Sequence, residues 1–312
     1  MSNRTFVRYA KPALGFLLLA AIFFQLDFTR ISTILTSISL SWLSTALVLS
    51  VSANIICALR WHKIICIYGA PYSVRQALDS YFQGVAINTV LPGGIVSGDI
   101  WRSLGLISKG ASKFTATRIV LLDRAAGFWA LCVISLIALV FLEFSAELFG
   151  SEIAPDLPSG WIVVYASGLA AATIMPFVLG LVGFVKAALT VWRTIGHSLL
   201  AQFATILAFY CCLRAVNLDL GWFPTAAVCA GIFLAAAVPV SIGGFGSREV
   251  AAVFFLAALG LGKEPCVIAS ILFGLTATLQ GFLVFLFGFN AAPWSEKLNP
   301  TRYLRGSSGS RH

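Results

Sequence analysis

The sequence predicts an all-α polytopic membrane protein with about six full spans and two re-entrant helical hairpins, arranged as a 4+4 inverted repeat. Three observations lead there. Hydrophobic residues make up 59% of the chain and charged ones 11%, less than half of the roughly 25% found in an average soluble domain. Several windows of about 20 residues, enough to cross a bilayer, carry almost no charge. Two stretches, Leu91–Arg102 (LPGGIVSGDIWR) and Val238–Glu249 (VPVSIGGFGSRE), interrupt otherwise apolar sequence with proline and glycine. Both residue types disfavour helix, so continuous helix is not expected through either stretch.

In chain order, Arg4, Arg8 and Lys11 precede an apolar run, Pro12–Leu26, with no small-x-small cleavage site. It is expected to stay as an uncleaved first span. A second span runs from about Leu40 to Leu59 and ends in Arg60, His62 and Lys63. The first break follows within about Gln76–Ile100, then a basic loop with Lys109, Lys113 and Arg118. Further spans are expected over Arg118–Leu142, Trp161–Val185 and Leu199–Val216, with the second break within about Thr225–Leu261 and a last span over Cys266–Phe289.

Charge decides how the breaks are threaded. If each were a full span, the basic loop after Arg102 and the acidic one with Glu143, Glu147, Glu152 and Asp156 would fall on the wrong sides. If each is a hairpin that returns to its own face, sixteen of the 21 Lys and Arg residues become cytoplasmic and the acidic loop lies outside, as the positive-inside rule requires. The predicted organisation is therefore one integral membrane domain over residues 1–290. Its repeats are 8–145 and 160–290, with both termini cytoplasmic and a polar basic tail over 291–312.

Ionisable side chains at membrane depth cost about 2.5–3.5 kcal/mol each and face protein or water-filled space. Asp99, Arg102, Arg248 and Glu249 stand just after the breaks, and Asp123–Arg124 lies a turn or two inside a span. Neighbours on a helix do not face one another, so the last pair needs partners elsewhere, with Asp99 and Arg102 as candidates. Two readings of these charges remain open: a polar cavity that receives an anionic headgroup, or internal ion pairs that let the hairpins fold. Arg214 is read as snorkelling to the outer interface. Asn54, Asn88 and Gln83 are read as interhelical hydrogen-bonding residues, and the heptad-spaced Gly274, Gly281 and Gly288 as a packing face.

Other function classes find little support. The seven cysteines form no CxxC or Cys/His set, the three histidines are scattered, and no P-loop, HExxH or serine elbow occurs. No cofactor or metal is expected, and no catalytic residue is assigned. The net charge of +9 is accounted for by orientation and lipid headgroups, so nucleic acid is not an expected partner.

The pairing of LPGGIVSGDIWR with the later PVSIGGFGSREV, and LLDRAAGF between them, resembles the transmembrane region of lysylphosphatidylglycerol synthases and the stand-alone flippase-like proteins that share it. The resemblance spans about residues 8–290. The family's first motif commonly ends Gly-Glu-x-x-Arg, where this chain has Gly98-Asp99-Ile100-Trp101-Arg102. The resemblance implies a lipid flippase or transporter of the bacterial inner membrane, with a membrane lipid as substrate and a separate lipid-modifying enzyme as a further partner. Pro92, Gly93, Gly94, Gly98, Asp99 and Arg102 would shape an inner gate, near Asp123 and Arg124. Pro239, Gly243, Gly244, Gly246, Arg248 and Glu249 would shape an outer one. The soluble aminoacyl-transferase domain of the fused enzymes has no counterpart in these residues, so synthesis of lysyl-lipid is not expected. The alternatives are a membrane-embedded transferase or glycosyltransferase accessory acting on a lipid-linked substrate, and a transporter of a small soluble anion. Neither the lipid nor the oligomeric state is specified.

Overall fold

The computed structural model describes residues 27–90, 95–149, 159–181, 185–237 and 245–287. Among these, all regular structure is helical. A short helix α1 (Phe28–Thr36) is followed by α2 (Leu40–Ile67), α3 (Val74–Val90), α4 (Ile95–Ile107) and α5 (Lys113–Phe149). The remaining helices are α6 (Ser159–Leu181), α7 (Val185–Ala215), α8 (Trp222–Ala236), α9 (Ser247–Ala257) and α10 (Lys263–Phe287). The chain is a multi-pass membrane protein.

Length and apolarity separate the helices into two kinds. Four are long and apolar enough to cross a bilayer: Leu40–Ile67, Lys113–Ser145, Val185–Ala215 and Lys263–Phe287. They correspond to four of the six expected spans. The expected span at Trp161–Val185 coincides with α6, whose apolar stretch Ile162–Pro176 is shorter and ends on an internal proline. The expected first span lies outside the described residues. Large side chains such as Leu121, Val140, Phe144, Phe282 and Phe285 stand exposed on α5 and α10, as a lipid-facing surface demands.

The short helices pair. α3 has 17 residues and α4 has 13; α8 has 15 and α9 has 11. The partners α3 and α4 run antiparallel, since Asn88 meets Gly98 and Gln83 meets Trp101. Here the helix is more extensive than the sequence suggests. α4 already begins at Ile95, so Gly98, Asp99 and Arg102 are helical, and α9 takes up Arg248 and Glu249 in its first turn. The prolines and Gly93, Gly94, Gly243 and Gly244 of the breaks fall at 91–94 and 238–244, outside the described residues, and Gly246 caps α9.

Helix starts are supplied locally. Ser73 and Gln76 cap α3 reciprocally, each side chain accepting from the other's backbone N–H at 3.2 and 3.1 Å. Ser112 Oγ accepts from Thr115 N to open α5.

At the centre, α2 packs against α7, α3 against α10, and α5 against α8. Small residues, among them Ala46, Ser50, Ala53 and Ala58 of α2 and Ala201, Ala204 and Ala208 of α7, are buried here, as expected where lipid supplies no hydrophobic drive between helices. The Ser135 hydroxyl of α5 donates to Ala226 O and accepts from Ala230 N. The Tyr165 hydroxyl of α6 does the same one residue on, donating to Ala227 O and accepting from Gly231 N.

The α3–α4 contact depends on the absence of a side chain at Gly98, where a Cβ would stand 2.4 Å from the Gly84 carbonyl oxygen. Gly98→Ala is expected to cost about 1–3 kcal/mol by overpacking. Gly196, with nothing within 4 Å of its Cβ position, should tolerate alanine with neutral or slightly positive effect, up to about 1 kcal/mol of added stability. Thermal melting of the two variants in detergent checks the contrast.

Candidate functional site

Three arginines and two aspartates form one continuous chain across α2, α4 and α5. Arg60 Nε donates to Asp123 Oδ1 at 2.8 Å, and Arg102 Nη1 donates to Asp123 Oδ2 at 3.0 Å. Arg102 Nη2 also donates to Asp99 Oδ1. Arg124 grips the same carboxylate twice, through Nε to Oδ2 at 2.9 Å and Nη2 to Oδ1 at 2.7 Å. Asp123 is 1% exposed, Arg102 2% and Arg60 4%. With the span read from Arg118, Asp123 stands five residues, roughly 7–8 Å at 1.5 Å per residue, inside its cytoplasmic end. The Arg102 guanidinium lies over the rings of Trp61, at 4.6 Å, and Tyr81, at 4.9 Å, which supplies a further attraction in a desolvated setting.

The second pair is arranged differently. Gly246 has a φ of +102°, a conformation open to glycine and costly for other residues. This turn lets Glu249, in the first turn of α9, bend back so that its Oε2 accepts from Gly246 N at 2.5 Å. Its Oε1 receives Arg248 Nη2 at 2.8 Å and the Ser270 hydroxyl at 3.0 Å. Glu249 is 0% exposed, so this carboxylate is fully occupied by α9 and α10. Arg248 lies over Phe245 and Phe273 and directly above Gly274, where a Cβ would be 2.2 Å from Arg248 Nη2.

Two polar cavities adjoin these groups. One, of about 240 Å³, is lined by Arg60, Asp123, Arg124, Gln202 and Arg248 among others. The other, of about 230 Å³, is lined by Asn88, Thr89, Arg102, Arg124 and Thr278 among others. Asn54, Tyr81 and Arg124 line both. The two cavities are therefore neighbours, one reached by residues of the α3–α4 pair and the other by Arg248 of α9, while Asp99 and Glu249 line neither.

The structure thus brings Asp99 and Arg102 to Asp123 and Arg124, as their charges in apolar sequence require. It puts Arg248 on the same cavity as Arg124, pairs Glu249 with Arg248, and places Gly98 at a close backbone approach and Gly246 at a positive-φ turn. Pro92, Gly93, Gly94, Pro239, Gly243 and Gly244 lie outside the described residues. Arg60 is an addition: it reads in sequence as one of the basic residues flanking a span, yet it is buried. Its signal is the apolar run around it, with the next charge at Lys63. Ser270 and Tyr81 give no sequence signal for their roles. Asn54 bonds Gln280 across α2 and α10 at 2.8 Å, the bridging expected of it. Arg214 pairs with Asp219 and lies 5.7 Å over Trp42, so its head is held locally as well as kept near the surface. Gly281 leaves room for Thr89.

Removing one partner of a buried ion pair leaves the other uncompensated, at a cost of about 3–5 kcal/mol. Asp123→Asn removes the counter-charge shared by Arg60 and Arg102 and should destabilise by that order. Arg214→Ala, at the far more exposed pair with Asp219, should cost no more than about 1 kcal/mol. Unfolding of each variant in detergent, compared with the parent, measures both.

A family model described as lysylphosphatidylglycerol synthase TM region matches residues 9–288. No curated protein matches the chain.

Proposed function

The chain belongs to the lysylphosphatidylglycerol synthase TM-region family, and on that premise we propose that it moves a polar, phosphate-bearing lipid between the leaflets of the bacterial inner membrane. The observation that carries this reading is the pair of neighbouring cavities lined by arginines from both halves of the chain, set within an apolar bundle. A headgroup occupies that region while its acyl or prenyl chains remain in lipid. Guanidinium groups suit the task because their planar donor forks match phosphate oxygens.

Both termini are cytoplasmic in this reading. The α3–α4 pair is a re-entrant hairpin from the cytoplasmic side and α8–α9 its counterpart from outside. Short helices of this kind are tolerated at depth where protein or a water-filled cavity covers their free backbone groups. Two features support the inverted repeat. One constant offset in numbering relates Gly84 to Gly231, Pro92 to Pro239, Asp123 to Ser270 and Gly127 to Gly274. The packing also survives the exchange of halves. The contact of α3 with α10 answers that of α8 with α5, α3 with α4 answers α8 with α9, and α4 with α5 answers α9 with α10. The α2–α7 contact maps onto itself. Rocking of one repeat against the other about that central contact gives alternating access.

The test uses purified protein in liposomes with trace fluorescent anionic phospholipid and a membrane-impermeant quencher. Wild type should give quenching beyond the outer-leaflet share. Arg248→Ala, if folded, should lower the initial rate by about tenfold or more, a loss of the order of one charge-assisted contact. An equal rate in the folded variant would remove Arg248 from the transport site. Product formation from a lipid-linked donor in detergent, where no leaflets exist, would instead favour a transferase.

A further inference from the structure

We propose that the cavity selects lipids by net headgroup charge and is matched to a single negative charge, the valence of a phosphodiester. This rests on the lipid-translocation reading and narrows its substrate class.

Charge imbalance is costly in this medium. Four guanidinium groups, Arg60, Arg102, Arg124 and Arg248, share three carboxylates, Asp99, Asp123 and Glu249. One positive charge is left over. The segments 91–94 and 238–244, which adjoin the hairpin helices, contain no ionisable residue that could alter the sum. An uncompensated charge held in low dielectric costs several kcal/mol, and the energy between two charges a few ångströms apart is correspondingly large. A ligand with one negative charge brings the site to neutrality. A zwitterion leaves the surplus in place, and a dianion replaces it with a deficit of equal size. The preference is therefore a maximum at one charge, and not a general taste for anions.

Arg124 is where the surplus meets the ligand. Its side chain is 30% exposed, against 3% for Arg102 and 4% for Arg60, and it lines both cavities. Asp99 engages its Nε and Nη2, so the Nη1 amino group remains for the cavity. Arg248 is engaged through the same two nitrogens and lines the larger cavity with Arg124. Each arginine of this shared lining thus has one amino group outside its carboxylate contacts, and a phosphodiester has two non-bridging oxygens to accept from them.

The experiment follows melting of the full-length protein in a neutral maltoside detergent as lipids with identical dioleoyl chains are titrated. The probes are phosphatidylcholine (net zero), phosphatidylglycerol (one negative charge) and phosphatidic acid at about pH 9, where its phosphomonoester carries two. Wild type should bind phosphatidylglycerol about tenfold or more tightly than either of the others. Asp99→Asn, which adds a positive charge without changing shape, should move the optimum to phosphatidic acid. Arg124→Gln should bring phosphatidylcholine to within about threefold of phosphatidylglycerol, and Arg124→Lys should restore the wild-type order. Wild type binding all three alike would overturn the inference while leaving lipid translocation standing. So would folded Asp99→Asn and Arg124→Gln proteins that keep the wild-type ranking. Glycerophosphoglycerol, the same headgroup without chains, separates the two readings. If it binds as tightly as phosphatidylglycerol, charge selection holds and the lipid reading beneath it fails.

Discussion

A charge or a bare amide at membrane depth has no water to turn to, and the architecture of this protein follows from that constraint. The Arg60–Asp123–Arg102–Asp99–Arg124 chain answers it by alternating sign, so that each carboxylate holds two guanidinium groups and Arg102 holds two carboxylates. The chain also joins three helices at one depth, α2, α4 and α5. The short helix α4, with 13 residues, adds to the burial of Trp101 and Leu106 two ionic ties to α5 that constrain both its height and its rotation. Conformational order and electrostatic compensation are supplied by the same side chains.

The second half solves the same problem with fewer charges. Glu249 takes its partners from its own turn and from Ser270, and Arg248 spans Gly274 between two phenyl rings. An asymmetry results. The α4 side is tied to its long helix by salt bridges, whereas the α9 side is tied by one hydroxyl and close packing. Charged ties tolerate little displacement before a buried charge is stranded; a serine contact carries a smaller penalty. If one hairpin moves more than the other, physics favours α9.

Much of this was legible in sequence, for reasons that differ by residue. Asp99, Arg102, Asp123 and Arg124 could be grouped because charges in apolar windows must find each other, and four such residues leave few combinations. Family membership was legible because glycine and proline at fixed spacing survive as a motif. Arg60 was not, since a basic residue near the end of a span usually marks the membrane surface, and only the depth of packing around α2 reveals otherwise. Ser270 and Tyr81 were invisible because hydroxyl residues are common in such helices and their partners are set by tertiary contact. Helix extent was also misjudged. Gly98 sits within α4 because close approach to Gly84 and a bond from its N–H to Asn88 Oδ1 at 2.6 Å outweigh its weak intrinsic propensity.

The hydroxyls of Ser135 and Tyr165 have one more implication. Each lies between a carbonyl and the amide four residues later in α8, donating to one and accepting from the other. Such a turn can open by the width of an oxygen atom and lose no hydrogen bond, because the intruding hydroxyl already holds both ends. Two such turns overlap in α8, from Ala226 to Gly231. In a medium that cannot repair a broken helix with water, that stretch behaves as a sealed bellows, able to flex while its polar groups stay covered. Compliance in this fold is thus written into side chains of neighbouring helices, and the helix that bends need not carry the residues that let it.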